Sequence, residues 1–124
     1  MKLRIKGDTL RLRLTQTEVK ELSTGKDVVA QTRLDPVSTF TVSLTAWNLE
    51  VPSVELQDQT LRIQVPATHV GNWANSDDEG LEYRIENGSD SGLMLWVEKD
   101  FACLTPRADE TDNFPHPGTA NSKC

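Results

Sequence analysis

Residues 1–14 read MKLRIKGDTLRLRL, and the alternation in this stretch decides the fold. Leu3 and Ile5 alternate with Lys2, Arg4 and Lys6, and Leu10, Leu12 and Leu14 alternate with Arg11 and Arg13. A strict period of two places apolar and charged side chains on opposite faces of an extended chain, the pattern of a half-buried strand. Gly7-Asp8 between the two runs is a turn signal, so the stretch predicts a β-hairpin.

Thr15-Gln16-Thr17-Glu18 follows with the spacing of a capping box, in which Thr15 accepts from the amide three residues on and Glu18 reaches back. Leu14 and Val19 hold the two positions of a hydrophobic staple. Val19 and Leu22 give a short helix one apolar side, and Gly25 ends it. Further strands are predicted over Val28–Leu34 and Phe40–Ala46, around Val54 and Leu56, and over Leu61–Val65, Leu81–Ile85 and Leu93–Val97. Pro66 opens a second short helix that carries Val70, Trp73 and Ala74. Asn87-Gly88 is a hairpin-turn signal, and Leu93–Val97, apolar at every position, reads as a central strand covered on both faces.

A shift of 51 positions, without gaps, lays residues 2–46 over 53–97. Thr9-Leu10-Arg11 then falls on Thr60-Leu61-Arg62, Thr17 and Val19 on Thr68 and Val70, Arg33 on Arg84, and Leu44 on Leu95. Apolar positions coincide as well: Leu3 with Val54, Ile5 with Leu56, Leu12 with Ile63, Leu22 with Trp73, Ala30 with Leu81. The expected fold is α+β and mainly antiparallel β. A duplicated strand–strand–helix–strand–strand unit would form a barrel-like or strongly curved eight-strand sheet. Residues 1–104 then make one duplicated domain, with half-repeats 2–46 and 53–97. Residues 105–124, rich in Pro, Asp, Thr, Asn and Gly, read as a flexible C-terminal tail in which Phe114 is a candidate anchor.

At 124 residues the chain fits one domain with an adequate core. Its 26% charged and 36% hydrophobic content is globular. No apolar run approaches the roughly 18 residues of a membrane helix, and the charged, alternating start is unlike a signal peptide, so a cytoplasmic protein without a membrane partner is expected. The cysteines, Cys103 and Cys124, make no disulfide framework, and Cys103 reads as a small buried hydrophobe. The net charge of −6 is uneven: residues 1–34 balance at +4 and residues 35–124 at −10. This polarity steers an anion toward the N-terminal part and argues against a nucleic-acid partner, which favours a basic domain.

Asn75, Asp77, Glu79, Gly80 and Glu86 stand at the first, third, fifth, sixth and twelfth places of a calcium-loop spacing. The segment leaving this loop alternates like a strand, so an acidic loop, and no metal site, is the reading. His69 reads as a surface residue of the second helix and His116 falls in the tail. No nucleophile elbow, zinc-protease helix or phosphate-cradling loop occurs, so no catalytic residue and no cofactor is assigned. The residues left to hold a ligand are Arg4, Arg11, Arg13, Arg33, Arg62 and Arg84, all on the face opposite the apolar alternation. In a half-open sheet they meet solvent. In a closed barrel they would line a lumen and bind a phosphate-rich anion.

Glu82-x-Arg84-x-Glu86 in such an eight-strand lumen resembles the triphosphate tunnel metalloenzymes, a resemblance that implies a metal-dependent phosphohydrolase. The chain departs from that family where Lys2-x-Arg4-x-Lys6 stands in place of E-x-E-x-K. MKLRIKG-x-x-LRLRLTQTEV at the start and VEKDFACLTPR (residues 97–107) resemble an uncharacterised family of small bacterial proteins, a domain of unknown function. That resemblance implies a stand-alone bacterial protein and assigns no activity or site residue. The expected function is therefore a non-enzymatic binding or interaction domain for a small anionic ligand or a protein partner.

Overall fold

The computed structural model describes residues 1–101 and 112–115. Its elements run β1 (Lys2–Ile5), β2 (Thr9–Leu14), α1 (Gln16–Ser23), β3 (Val28–Asp35), β4 (Ser38–Trp47), β5 (Ser53–Gln57), β6 (Thr60–Pro66), α2 (Ala67–Ala74), β7 (Gly80–Ile85) and β8 (Leu93–Lys99). The fold is α+β, and each predicted strand and helix forms. Thr15 caps α1 as the spacing requires: its side chain accepts from the Glu18 amide at 3.3 Å, and Glu18 Oε1 accepts from the Thr15 amide at 2.9 Å. Such a cap is worth about 1 kcal/mol. Gly25, at φ +90°, takes the left-handed turn that stops the helix.

The strands do not close into a barrel. They form two four-stranded sheets, ordered β1-β2-β8-β7 (sheet A) and β3-β4-β6-β5 (sheet B). Each sheet takes one hairpin from each half of the chain. The inner strands of the two hairpins pair in parallel, β2 with β8 and β4 with β6, while every hairpin is antiparallel. Spending the inner strands on each other leaves β1, β7, β3 and β5 as edges, which is why no closed barrel results.

Register lines apolar side chains up in rows across each sheet. Leu3, Leu12, Val97 and Leu81 lie abreast across sheet A, and Val54, Ile63, Leu44 and Val28 lie abreast across sheet B. Leu12, Val97, Ile63 and Leu44 are fully buried. The offset of 51 relates the first two residues of each row, but 53 relates the last two. The single gapless offset of 51 therefore does not hold along the whole chain, and Leu81 takes the row position that Val28 takes, not that of Ala30.

The inward faces of both sheets and the apolar sides of both helices share one core. Helix α1 touches β2, β3 and β4, and α2 touches β4, β6 and β7, so the pair, in mutual contact, lies across the two sheets. Val19, Leu22, Val70 and Trp73 are the side chains it buries. Strand β8 is central, as its composition predicts, yet it is covered on one face. Leu95 and Val97 point into the core, while Met94 and Trp96 lie half-buried on the outer face. The Asn87-Gly88 signal belongs to a seven-residue loop, since Ile85 pairs with Leu93.

Asp112–Pro115, within the stretch expected to be loose, is seated against the domain. The Gln16 amide donates to the Asp112 carbonyl at 2.9 Å, the Phe114 amide to the Asp100 carbonyl at 2.8 Å, and the Phe114 ring packs on the core. Cys103, His116 and Cys124 lie outside the described residues.

Candidate functional site

The inward-facing leucines of β1 and β2 force the intervening cations to the outer face of sheet A. There the pairing builds a grid. One row runs Lys2, Arg13, Glu98, Gly80, and the next runs Arg4, Arg11, Trp96, Glu82. In the third, Lys6 exchanges both backbone hydrogen bonds with Thr9, and Thr9 and Arg84 flank Met94. The face is graded: cations fill β1 and β2, the aromatic sits on β8, and Glu98 and Glu82 follow toward β7.

Arg4, Lys6, Thr9, Arg11 and Trp96 line a cleft of about 240 Å³ on the basic side of this grid. The Arg11 guanidinium lies 4.9 Å from the centre of the Trp96 ring. Its Nε comes within 3.1 Å of Glu98 Oε1, and Arg13 Nε within 3.8 Å of the same oxygen. The Arg11 N–H does not point at that carboxylate, so Nε is buried with no hydrogen-bond acceptor among the described residues. Lys2 is held 3.0 Å from the buried Asp100. Arg4 and Lys6 have no carboxylate within 4 Å among the described residues. The Thr9 hydroxyl already donates to the Lys6 carbonyl, so the cleft joins two cations without carboxylate partners, the Arg11 guanidinium and an aromatic surface, a set suited to an anion with an apolar or planar part.

The other predicted arginines go elsewhere. Arg84 is on sheet A but at its far edge, where it donates to the carbonyls of Ser91 (2.9 Å) and Asp90 (3.2 Å) and braces the β7–β8 loop. Arg33 and Arg62 lie on sheet B. Arg33 donates to the Pro36 carbonyl at 3.1 Å, and Arg62 stands 3.9 Å from Glu55. Arg11 and Arg62, which the offset of 51 matches, thus lie on different sheets, while the offset of 53 matches Arg84 with Gln31 and not with Arg33. Arg4, Arg11 and Arg13 come together, but Arg33, Arg62 and Arg84 do not join them, and no lumen gathers all six.

Lys6, Thr9 and Trp96 were not among the site residues expected from sequence. Lys6 shares the outward parity of Lys2 and Arg4, a signal present in the alternation. Trp96 is outward because Leu95 and Val97 are inward, which the continuous apolar run Leu93–Val97 hides.

The family model of DUF7009, a family of unknown function, matches residues 1–118. The chain belongs to this family. No curated protein and no solved structure matches it. DUF7009 membership accordingly names no ligand, and the chemistry must come from the geometry.

Other polar clusters are less suited to a ligand. His69 Nδ1 lies 2.9 Å from the Tyr83 hydroxyl with the rings stacked, but His69 is exposed on α2. Desolvation pushes the Tyr83 phenol up to about 12. Among the described residues no three His, Cys, Asp or Glu side chains gather as a metal site. The stretch with calcium-loop spacing runs into β7 at Gly80. No helix is long and apolar enough to cross a membrane.

Proposed function

We propose that this protein is a non-enzymatic binding domain that takes a small anion in the cleft of Arg4, Lys6, Thr9, Arg11 and Trp96. The observation that carries the reading is the convergence of unpaired cations: Arg4 and Lys6 lack carboxylate partners among the described residues and share one cleft with a buried, acceptor-less Arg11 Nε. A chain of net charge −6 that leaves Arg4 and Lys6 side by side without carboxylate partners among the described residues holds a local field of opposite sign there. Glu98 and Glu82 bound the cleft on the β7 side, which limits an anion to the β1–β2 side.

The two halves are read as copies of one unit. Support comes from hairpins β1–β2 and β5–β6, which keep the same register at an offset of 51, and from the matched core rows. The copies diverged on their outer faces: Arg4 and Lys6 of β1 correspond to Glu55 and Gln57 of β5, so the anion cleft has no twin on sheet B.

A thermal-shift titration with tripolyphosphate, with and without magnesium, tests the function. Ligand at about 100 times its dissociation constant adds roughly 2.7 kcal/mol, a rise of about 5–15 °C for a domain of this size. The expected rise does not need the metal and is lost in Arg4→Ala and Arg11→Ala. A flat response, or one unchanged in Arg4→Ala, would overturn the reading.

A further inference from the structure

Strand β1 offers something a small anion does not use. Lys6 and Thr9 exchange both their backbone hydrogen bonds. Because such pairs alternate along an antiparallel ladder, Arg4 with Arg11 and Lys2 with Arg13 are bonded pairs, while Leu3 and Ile5 turn their N–H and C=O groups away from β2. Among the described residues no strand lies beyond β1, so these groups face an open edge. Natural edges of this kind are templates for another strand unless something blocks them.

The side chains state what that strand should be. On the inner side of the sheet Leu3 is half covered and Ile5 is 61% exposed, although its row partner Leu10 is buried. On the outer side stand Lys2, Arg4 and Lys6. A strand laid along the edge would bond to Leu3 and Ile5 with residues whose side chains fall on the inner side, beside exposed Ile5. Its alternate residues would fall on the outer side, beside the cations. We infer that β1 accepts an extended peptide segment in which apolar and acidic residues alternate, added as a fifth strand to sheet A.

Edge β5 supplies an internal contrast. It has the same register and an exposed apolar residue at the matching place, Leu56 at 68%. Its outer side carries Ser53, Glu55 and Gln57, which give an acidic strand no attraction. The inference thus assigns the acidic partner to one of two similar edges. It draws on Arg4 and Lys6, as the anion reading does, but its distinguishing requirement is the free backbone of Leu3 and Ile5.

The test uses the full chain and a fluorescein-labelled eight-residue peptide of alternating valine and glutamate, with a control of the same composition in blocks. The alternating peptide is expected to bind and the block peptide to bind at least about tenfold more weakly. Ile5→Pro removes the outward N–H without breaking a bond to β2, a substitution that edge strands tolerate. It should weaken the alternating peptide at least about tenfold, the scale of losing one charge-free strand hydrogen bond with its neighbour contact, while Leu56→Pro should not. Tripolyphosphate affinity should be the same in Ile5→Pro as in the parent protein. Amide hydrogen exchange on the unsubstituted protein gives a second measurement, with peptide expected to protect Leu3 and Ile5. Absence of binding, binding without that protection, or equal binding of the block peptide would overturn the edge site. Loss of tripolyphosphate binding alone would overturn the anion cleft and leave the edge site standing.

Discussion

The guanidinium of Arg11 lies 4.9 Å from the ring centre of Trp96, its register neighbour across the parallel β2–β8 pair. The contact crosses the seam between the two halves of the chain, since β2 belongs to the first and β8 to the second. It also fixes the guanidinium at the wall of the cleft with its Nε unsatisfied.

Removing Arg11 should therefore separate function from stability. A cation–π contact at a partly exposed site is worth about 0.5–1 kcal/mol, and an exposed ion pair to Glu98 adds little. Arg11→Ala is expected to cost about 1 kcal/mol in urea denaturation and at least about tenfold in tripolyphosphate affinity, the scale of one charge-assisted hydrogen bond. A loss of several kcal/mol with affinity intact would make Arg11 a structural residue.

Tyr83 gives a pH prediction free of ambiguity, because the chain has one tyrosine. Its phenol is half-buried between α2 and the sheet, and desolvation raises its folded value to about 12 from 10.0. The neutral form is the one the fold prefers. Its stabilising contribution is complete below pH 10, and is lost as pH rises through about 12. A spectrophotometric titration should show tyrosinate forming near 12 in the native protein and near 10 in urea. Denaturation midpoints should fall between pH 10 and about 12, and fall less in Tyr83→Phe. Equal titration in both states would show that the His69 side leaves the hydroxyl solvated.

The order of elements was legible because alternation and capping are local: Leu10, Leu12 and Leu14 demand one buried face whatever lies opposite. Sheet membership was not, because it depends on which hairpin meets which. Arg11 and Arg62 have the same local surroundings, yet one faces Trp96 across sheet A and the other faces Glu55 on sheet B. The same non-local choice turned an expected lumen into two outer faces. The outward direction of Trp96 was not legible, because an all-apolar strand gives no parity signal and pairing alone fixes which face each side chain takes.

Lys99 is a buried lysine that holds the returning segment. It is 7% exposed, its Nζ donates to the Ser76 carbonyl at 2.6 Å beyond the end of α2, and it lies 5.5 Å from the Phe114 ring and 5.9 Å from Trp73. A cation at a helix C-terminus is favourably placed. Lys99→Met keeps the aliphatic stem but strands the Ser76 carbonyl, and is expected to cost about 1–3 kcal/mol. Phe114→Leu should cost less in the Lys99→Met background than alone, with a coupling of about 0.5–1 kcal/mol. Strict additivity in the denaturation cycle would mean that the ring and the ammonium do not interact.

Two glycines should respond to alanine in opposite directions, and the contrast bears on the acidic loop. Gly80 opens β7 opposite Glu98, and it holds the place of the turn glycine in a calcium-loop spacing. Its φ is not in the left-handed region, so a turn is not what requires it. A Cβ there would meet the Val97 carbonyl oxygen at 2.8 Å and Glu98 Cγ at 2.9 Å. The carbonyl belongs to the central strand and cannot give way cheaply. Gly80→Ala is thus expected to destabilise by about 1–3 kcal/mol, the usual range for overpacking. Gly71 sits in the middle of α2, where a Cβ would meet nothing within 4 Å. Gly71→Ala should stabilise by about 0.5–1 kcal/mol through reduced backbone freedom in the unfolded chain and better helix propensity. Chemical denaturation of both variants, each with and without calcium, separates the roles. If Gly80→Ala keeps its deficit at every calcium concentration, the glycine serves the approach of β7 to β8. A deficit that appears with calcium alone would instead make the loop a cation site and overturn the packing account.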